Sequence, residues 1–321
     1  MEKASNLLVK FSKKLFSDAE QQDQFVAALT QPGSFHPCIL WTKPRPGNLP
    51  FAIEPSIPWQ PHFIDRLAFG ERPGQHPLHN EGYFYCLDFS SVFAATPLLT
   101  IDQPVRLVAD ICGSPGGKSL FAWVALKPEF LLSNEVIGKR IGALLSNLKR
   151  CEAKPSVITN LDSSILAEEI SGTADVVLVD APCSGQSLLA KGGKSPGCFH
   201  PVNINKNANR QKRIIANSGS IVSPQGYLLY MTCAYSLEEN EQVCEWFLER
   251  FPHFKPIDVP ALNSYRSHLT SLPCYRMFPQ TNLGAGAFTA LFQNTEAHSD
   301  NMDSIQQKFN LFLQRPRLIF V

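Results

Sequence analysis

Two cysteines, Cys183 and Cys233, follow apolar runs that read as strands, and each is set in a turn. The first lies in Asp175-Val-Val-Leu-Val-Asp-Ala-Pro-Cys-Ser-Gly185, where four apolar residues end at Asp180 before the chain turns. Three of those four are β-branched, as expected of a short strand buried on both faces of a parallel sheet. The second lies in Tyr230-Met-Thr-Cys-Ala-Tyr-Ser-Leu-Glu-Glu-Asn-Glu241 and repeats the pattern. In open α/β sheets, ligands bind beyond the carboxyl ends of the strands. Taken alone, Cys183 is as readily a small buried hydrophobe, and Asp180 a turn cap, as either is a reactive group. Two thiols leaving one edge, with Asp180 and Lys118 nearby, favour chemistry over filling.

A third feature at that edge is Asp110-Ile-Cys-Gly-Ser-Pro-Gly-Gly-Lys118, a glycine-rich strand-to-helix turn. It is not a phosphate-binding loop, because only three residues separate Gly113 from Gly117 where four are needed. Glu135 ends the next strand, where an acid takes ribose hydroxyls, and Asp162 follows the third strand, placed to face an adenine. Together these describe a nucleoside cofactor without a demand for phosphates. S-adenosylmethionine fits better than NAD, whose glycine spacing is absent.

The elements that must position these groups alternate from residue 105 onward. Strands are expected at 105–110, 130–133, 157–159, 175–180, 227–231 and 287–293, and helices at 117–127, 137–150, 163–170, 205–221 and 237–251. Ser236 followed by Glu239 reads as a capping box opening the last of these helices. Repeated βα units imply a mainly parallel sheet, a Rossmann-like doubly wound α/β fold. Upstream, residues 1–30 look helical. Ten prolines between Pro32 and Pro77 exclude long helices and central strands. Residues 83–85 read as a strand, with Ser90 or Ser91 capping a following helix. The expected division is a Pro-rich accessory subdomain over 1–80, a cofactor-binding α/β domain over 81–295, and a tail over 296–321 that the pattern leaves without a role.

Composition sets the class. Hydrophobic content of 44% and charged content of 18% are ordinary for a globular protein. No run approaches a membrane span. Glu2, Asp18 and Glu20 argue against an amphipathic presequence, so a cytoplasmic setting is the default. Nine cysteines, none spaced Cys-x-x-Cys, exclude a zinc cage or disulfide framework, and His76 and His79 lack partners, so no metal is expected. Net charge is only +1. From Ala181 to Leu237, however, no acid occurs, while Lys191, Lys194, Lys206, Arg210, Lys212 and Arg213 do. Such a stretch beside a reactive edge is the electrostatic footprint of phosphate binding.

In these stretches the chain resembles the RsmB/Nop/NSUN family of S-adenosylmethionine-dependent RNA 5-methylcytosine methyltransferases. The resemblance rests on Asp110 to Lys118, Asp180 to Gly185 and Thr232 to Glu241. Supporting matches are Asn134-Glu135, Asp162, Gln211, Pro224-Gln-Gly226, Arg276-Met-Phe-Pro279 and Leu87-Asp-Phe-Ser-Ser91. It covers residues 80–293. It implies that Cys233 attacks cytosine C6, Cys183 assists product release, Asp180 holds the base, and Lys118 adds positive charge beside the thiols. It also implies a cofactor site made of Cys112, Gly113, Ser114, Pro115, Gly116, Gly117, Lys118, Glu135, Asp162 and Asp180. The implied partner is RNA, ribosomal or transfer, bound by a monomer. Gly113-Ser114 stands where the family usually has two alanines, and Ala234 where it usually has serine. The competing readings are a catalytically silent RNA-binding protein, a DNA cytosine methyltransferase, which would not need Cys233, and transfer to a small molecule, which leaves the basic stretch unexplained.

Overall fold

The computed structural model describes residues 5–297 and 302–321. Two helices open it, α1 (Asn6–Leu15) and α2 (Ala19–Thr30). Ser5 and Asp18 cap them by accepting from the Leu8 and Gln21 amides. Their apolar faces, including Phe11, Leu15 and Phe25, pack on Phe199 and Tyr235, in the loops that follow the two cysteines, and on Ile204 in the first turn of the helix that starts at Pro201.

The Pro-rich segment folds as a small antiparallel sheet. In it β1 (Cys38–Trp41) lies between β2 (Ile64–Arg66) and β3 (Phe84–Leu87), with α3 (Pro77–Asn80) leading into the third strand. A central strand thus forms where the proline density excluded one, because Cys38–Trp41 itself holds no proline and keeps every amide for pairing. The following helix, α4 (Phe89–Ala95), is not capped by Ser90 or Ser91. Asp88 caps it, its Oδ1 accepting from the Ser90 amide at 2.8 Å. Ser90 Oγ accepts from the Gly286 amide instead and ties α4 to a distant loop.

The main sheet begins with β4 (Leu107–Asp110), α5 (Gly117–Leu126), β5 (Phe130–Asn134), α6 (Gly138–Arg150), β6 (Ser156–Thr159) and α7 (Ser163–Glu169). It continues through β7 (Ala174–Asp180), α8 (Pro201–Ile221), β8 (Val222–Thr232), α9 (Glu241–Arg250), β9 (Phe254–Pro256), β10 (Tyr275–Met277) and β11 (Ala287–Asn294). The chain ends with α10 (Met302–Phe312) and β12 (Ile319–Phe320). Strand order is β10-β11-β8-β7-β4-β5-β6-β12, with β9 also pairing β11. The run β8-β7-β4-β5-β6 is parallel, and antiparallel strands close both edges. This is the expected Rossmann-like α/β architecture.

β7 shows why its apolar run is unbroken. Val176 and Leu178 point into the core on one face, Val177 and Val179 into the core on the other, and all four are fully buried. Each such side chain contributes about 1.5–3 kcal/mol by leaving water. α8 starts four residues earlier than expected, because His200 caps it and Pro201 fills its first turn. The tail is now placed: β12 pairs with β6, and Phe309 and Phe312 are buried beneath the sheet. No helix among the described residues is long and apolar enough to cross a membrane.

From β4 the chain moves outward through β5 and β6, then returns to β7 on β4's other side. The crevice above β4 and β7 is therefore the topological switch point, where such sheets bind ligands.

Candidate active site

β7 and β8 are parallel neighbours, with Val179 beside Tyr230 and Asp180 beside Met231. Their register brings the two turns together, and Cys183 Sγ lies 3.0 Å from Cys233 Sγ. That hydrogen bond draws the Cys233 thiol below its ordinary value, against burial and the Asp180 charge, with help from Ser187 and Lys118. The same bond, with burial, pushes Cys183 well up. The two directions together favour Cys233 as the thiol of the pair that ionises first. Lys118 Nζ donates to Asp180 Oδ2 at 2.7 Å and reaches Ser91 Oγ at 3.5 Å. Burial works against its ammonium, but the Asp180 carboxylate outweighs it, and the Lys118 pKa is raised.

The Cys233 turn is held by groups far away in sequence. Gln186 Oε1 accepts from the Tyr235 and Ser236 amides at 2.6 and 3.1 Å, and its Nε2 donates to the Cys198 carbonyl at 2.9 Å. Asn240 accepts from Thr232 Oγ1 and donates to the Ala234 carbonyl. The expected capping box does not form. Ser236 Oγ donates to Glu239 Oε2 at 2.7 Å, but α9 starts only at Glu241. The Glu239 carboxylate turns instead to Ser184 and Gln211 in the neighbouring turn and helix.

The glycine-rich loop starts from Asp110, whose fully buried carboxyl accepts from Ser119 Oγ at 2.6 Å and from the Cys112 amide at 3.2 Å. Burial pushes its pKa up to about 7. A Cβ at Gly117 would lie 2.7 Å from Leu87 Cδ1, so the Leu87 side chain would have to shift to admit one. Gly116 adopts a left-handed φ of +113° at the start of α5. Arg140, a residue that nothing in the sequence pattern singles out, donates to the Ser114 carbonyl at 2.6 Å and sits 3.1 Å from Glu135 Oε2.

A cleft of about 540 Å³ opens over this edge, lined by Cys112, Ser114, Glu135, Asp162, Asp180, Cys183, Cys233, Arg210 and Arg213 among others. Glu135 is 3% exposed. Its Oε1 accepts from the Ile137 amide, while Oε2 faces Arg140 off the hydrogen-bonding direction and has no donor aligned on it. A buried carboxylate oxygen left so, in a cleft of this size, fits the hydroxyls of a nucleoside ribose. Asp162 caps α7, held low by the Ser164 amide and hydroxyl, and keeps Oδ2 3.9 Å from Arg213. Gly113, Pro115, Gly117 and Lys118 line a smaller hollow of about 200 Å³, which shares Cys112, Ser114 and Asp180 with the cleft. Gly116 lines neither.

The basic stretch is divided by the fold. Arg210 and Arg213 line the cleft. Lys191 is paired with Asp88 at 2.6 Å, and Lys212 lies over the Trp246 ring at 5.7 Å, on the α9 side of its helix. Lys194 and Lys206 are exposed and line no part of the cleft. The acids missing from this stretch arrive from elsewhere as Asp88, Asp162 and Glu239.

A doubly wound sheet with a cleft at its switch point defines a Rossmann-like ligand-binding α/β fold. A methyltransferase homologue from Pyrococcus horikoshii superposes with a TM-score of 0.73 over 90% of this chain and 95% of its own, at 20% identity. The family model described as 16S rRNA methyltransferase RsmB/F matches residues 99–293, and the chain belongs to that family. Ribosomal RNA small subunit methyltransferase F of Aliivibrio fischeri is 26% identical over 84% of this chain and 59% of its own length. The Escherichia coli protein of the same name is 29% identical over 75% of this chain and 52% of its own. The chain thus spans a little over half the length of the curated relatives it matches.

Proposed function

We propose that this chain transfers a methyl group from S-adenosylmethionine to C5 of a cytosine in RNA, with Cys233 as the attacking thiol. The observation that carries the reading is the thiol pair, 3.0 Å apart, on the wall of a cleft that also holds Glu135. Family membership supports the reaction class. The relatives' printed names, both small-subunit ribosomal RNA methyltransferases, favour ribosomal RNA as the substrate.

Cytosine C5 is too poor a nucleophile to take a methyl group unaided. Addition of the Cys233 thiolate to C6 forms an Sγ–C6 bond and moves the ring's double-bond electrons onto C5. Cys183, hydrogen-bonded to that sulfur, is the source of the lowered Cys233 pKa and stands ready to assist when the adduct breaks. In that release water takes the C5 proton, the C5–H electrons reform the C5–C6 double bond, and Sγ departs as a thiolate. Asp180, oriented by Lys118, holds the base near N3 and N4, while the Lys118 ammonium favours the thiolate. S-adenosylmethionine, when bound, supplies an electrophilic methyl. Glu135 would hold its ribose, Asp162 the adenine end, and the Asp110–Lys118 loop its remaining length. Arg210 and Arg213 would meet RNA phosphates at the cleft mouth. A duplexed cytosine must leave its stack to reach this depth.

The two cysteines test the reading separately. Cys183→Ala should attack and methylate but stall, leaving a slow-migrating protein–RNA band on a denaturing gel. Cys233→Ala should form no band and no 5-methylcytosine, scored by bisulfite sequencing. The reverse pattern would assign attack to Cys183. Intact methylation in both variants, with no band in either, would return both thiols to a structural role.

A further inference from the structure

We propose that Glu239 is a positioning residue: its buried carboxylate binds the Cys183 turn to the Cys233 turn and so sets the distance between the two sulfurs. This rests on Cys233 being the attacking thiol. Glu239 is fully buried, and no basic side chain pairs with it among the described residues. Four hydrogen bonds satisfy it instead. Oε1 accepts from the Ser184 amide at 2.8 Å and Gln211 Nε2 at 3.1 Å. Oε2 accepts from Ser184 Oγ at 2.6 Å and Ser236 Oγ at 2.7 Å.

The placement of these donors is what matters. Ser184 follows Cys183 directly, and Ser236 lies three residues beyond Cys233, so one carboxylate spans both turns. Gln211 Nε2 also donates to the Pro182 carbonyl at 3.1 Å, so Glu239 and Gln211 grip the backbone on both sides of Cys183. Tyr230 Oη donates to the Glu239 carbonyl at 2.7 Å and fixes its backbone to β8. A buried carboxyl with no basic partner is costly to keep unless its oxygens are hydrogen-bonded. An arrangement that used it only for capping would place it at the start of α9, where it is not. A carboxylate also suits the task better than an amide, since all four partners are donors and an amide offers only one acceptor oxygen.

Cys233 is faced by Cys183 and Asp180 from the β7 side, by Ser187, and by Lys118 from α5. Of these, the Cys183 hydrogen bond depends on Glu239. Loosening the clamp should let the sulfurs part and remove the strongest influence that favours the Cys233 thiolate.

The test is the pH dependence of iodoacetamide alkylation at Cys233, followed by mass spectrometry of its peptide in the whole protein without RNA or cofactor. Glu239→Ala should move the profile to higher pH by at least one unit, about a tenfold loss of alkylation rate at pH 7. Glu239→Gln should give a smaller displacement. Ser236→Ala, which cuts only the link to the Cys233 turn, should also move the profile, and it serves if Glu239→Ala does not fold. With RNA, kcat should fall while KM for RNA holds. Profiles of Glu239→Gln and Ser236→Ala that overlay the wild type, with or without a lower Tm, would overturn the proposal. Displaced variant profiles, alongside a wild-type protein that never methylates RNA, would leave the clamp standing and refute the methyl-transfer reading instead.

Discussion

Replacing Asp110 with Asn should convert a pH-dependent stability into a flatter one. The Asp110 carboxyl is fully buried at the end of β4, and burial lifts its pKa from 3.8 to about 7, with the nearby Asp180 charge adding to the rise. The folded state therefore keeps its proton while the unfolded chain has already lost it. Stability from the neutral acid is complete below about pH 4, falls as pH rises towards 7, and stays low beyond that. A gap of about 3 in pKa amounts to about 4 kcal/mol in all. Because the unfolded carboxyl is already mostly ionised at pH 5, the part lost between pH 5 and pH 8 is about 2–3 kcal/mol. Asn imitates the neutral acid well here. Its oxygen can accept from the Cys112 amide, and its NH₂ can donate to Ser119 Oγ, which in turn donates to Ser133 Oγ, reversing the 3.2 Å bond between those hydroxyls. Urea unfolding of both proteins from pH 5 to pH 8 isolates the effect as their difference. Asp110→Asn should gain about 2–3 kcal/mol on the wild type across that range. A constant difference between the two proteins would show that Asp110 is ionised throughout, and would refute the reasoning.

Glu135→Ala should weaken S-adenosylhomocysteine binding in calorimetry by roughly tenfold or more, the scale of one hydrogen bond to a charged group; an unchanged Kd would remove Glu135 from the cofactor site. Arg210→Gln with Arg213→Gln should reduce the salt dependence of RNA binding by about 0.7–0.9 in log–log slope for each phosphate no longer neutralised. Lys212→Gln, on the far side of the same helix, should leave that slope unchanged. Equal slopes in all three proteins would place the RNA elsewhere.

Much of this molecule is written locally. The apolar run of β7, its end at Asp180, the glycine-rich turn after β4 and the helical spacing of α6 are each set by residues within one element. The presence of two thiols, three acids and Lys118 at one sheet edge follows from the alternation of strands and helices. The N-termini of α4 and α9 differ from expectation because a plausible capping residue is visible in the sequence while its real partner is not. Ser90 bonds Gly286, and Glu239 bonds Ser184. Gln186, which holds the Cys233 turn, carries no signal at all, since a lone glutamine has no period and no spacing. The basic stretch from Ala181 to Leu237 is legible as charge but not as shape: the fold sends Arg210 and Arg213 to the cleft, Lys212 to Trp246, and Lys191 to Asp88. Hydrophobic period is a property of neighbouring residues and survives in one dimension. The direction of a single buried hydrogen bond, and the charge that answers another charge, belong to whichever distant strand or loop the packed sheet brings alongside.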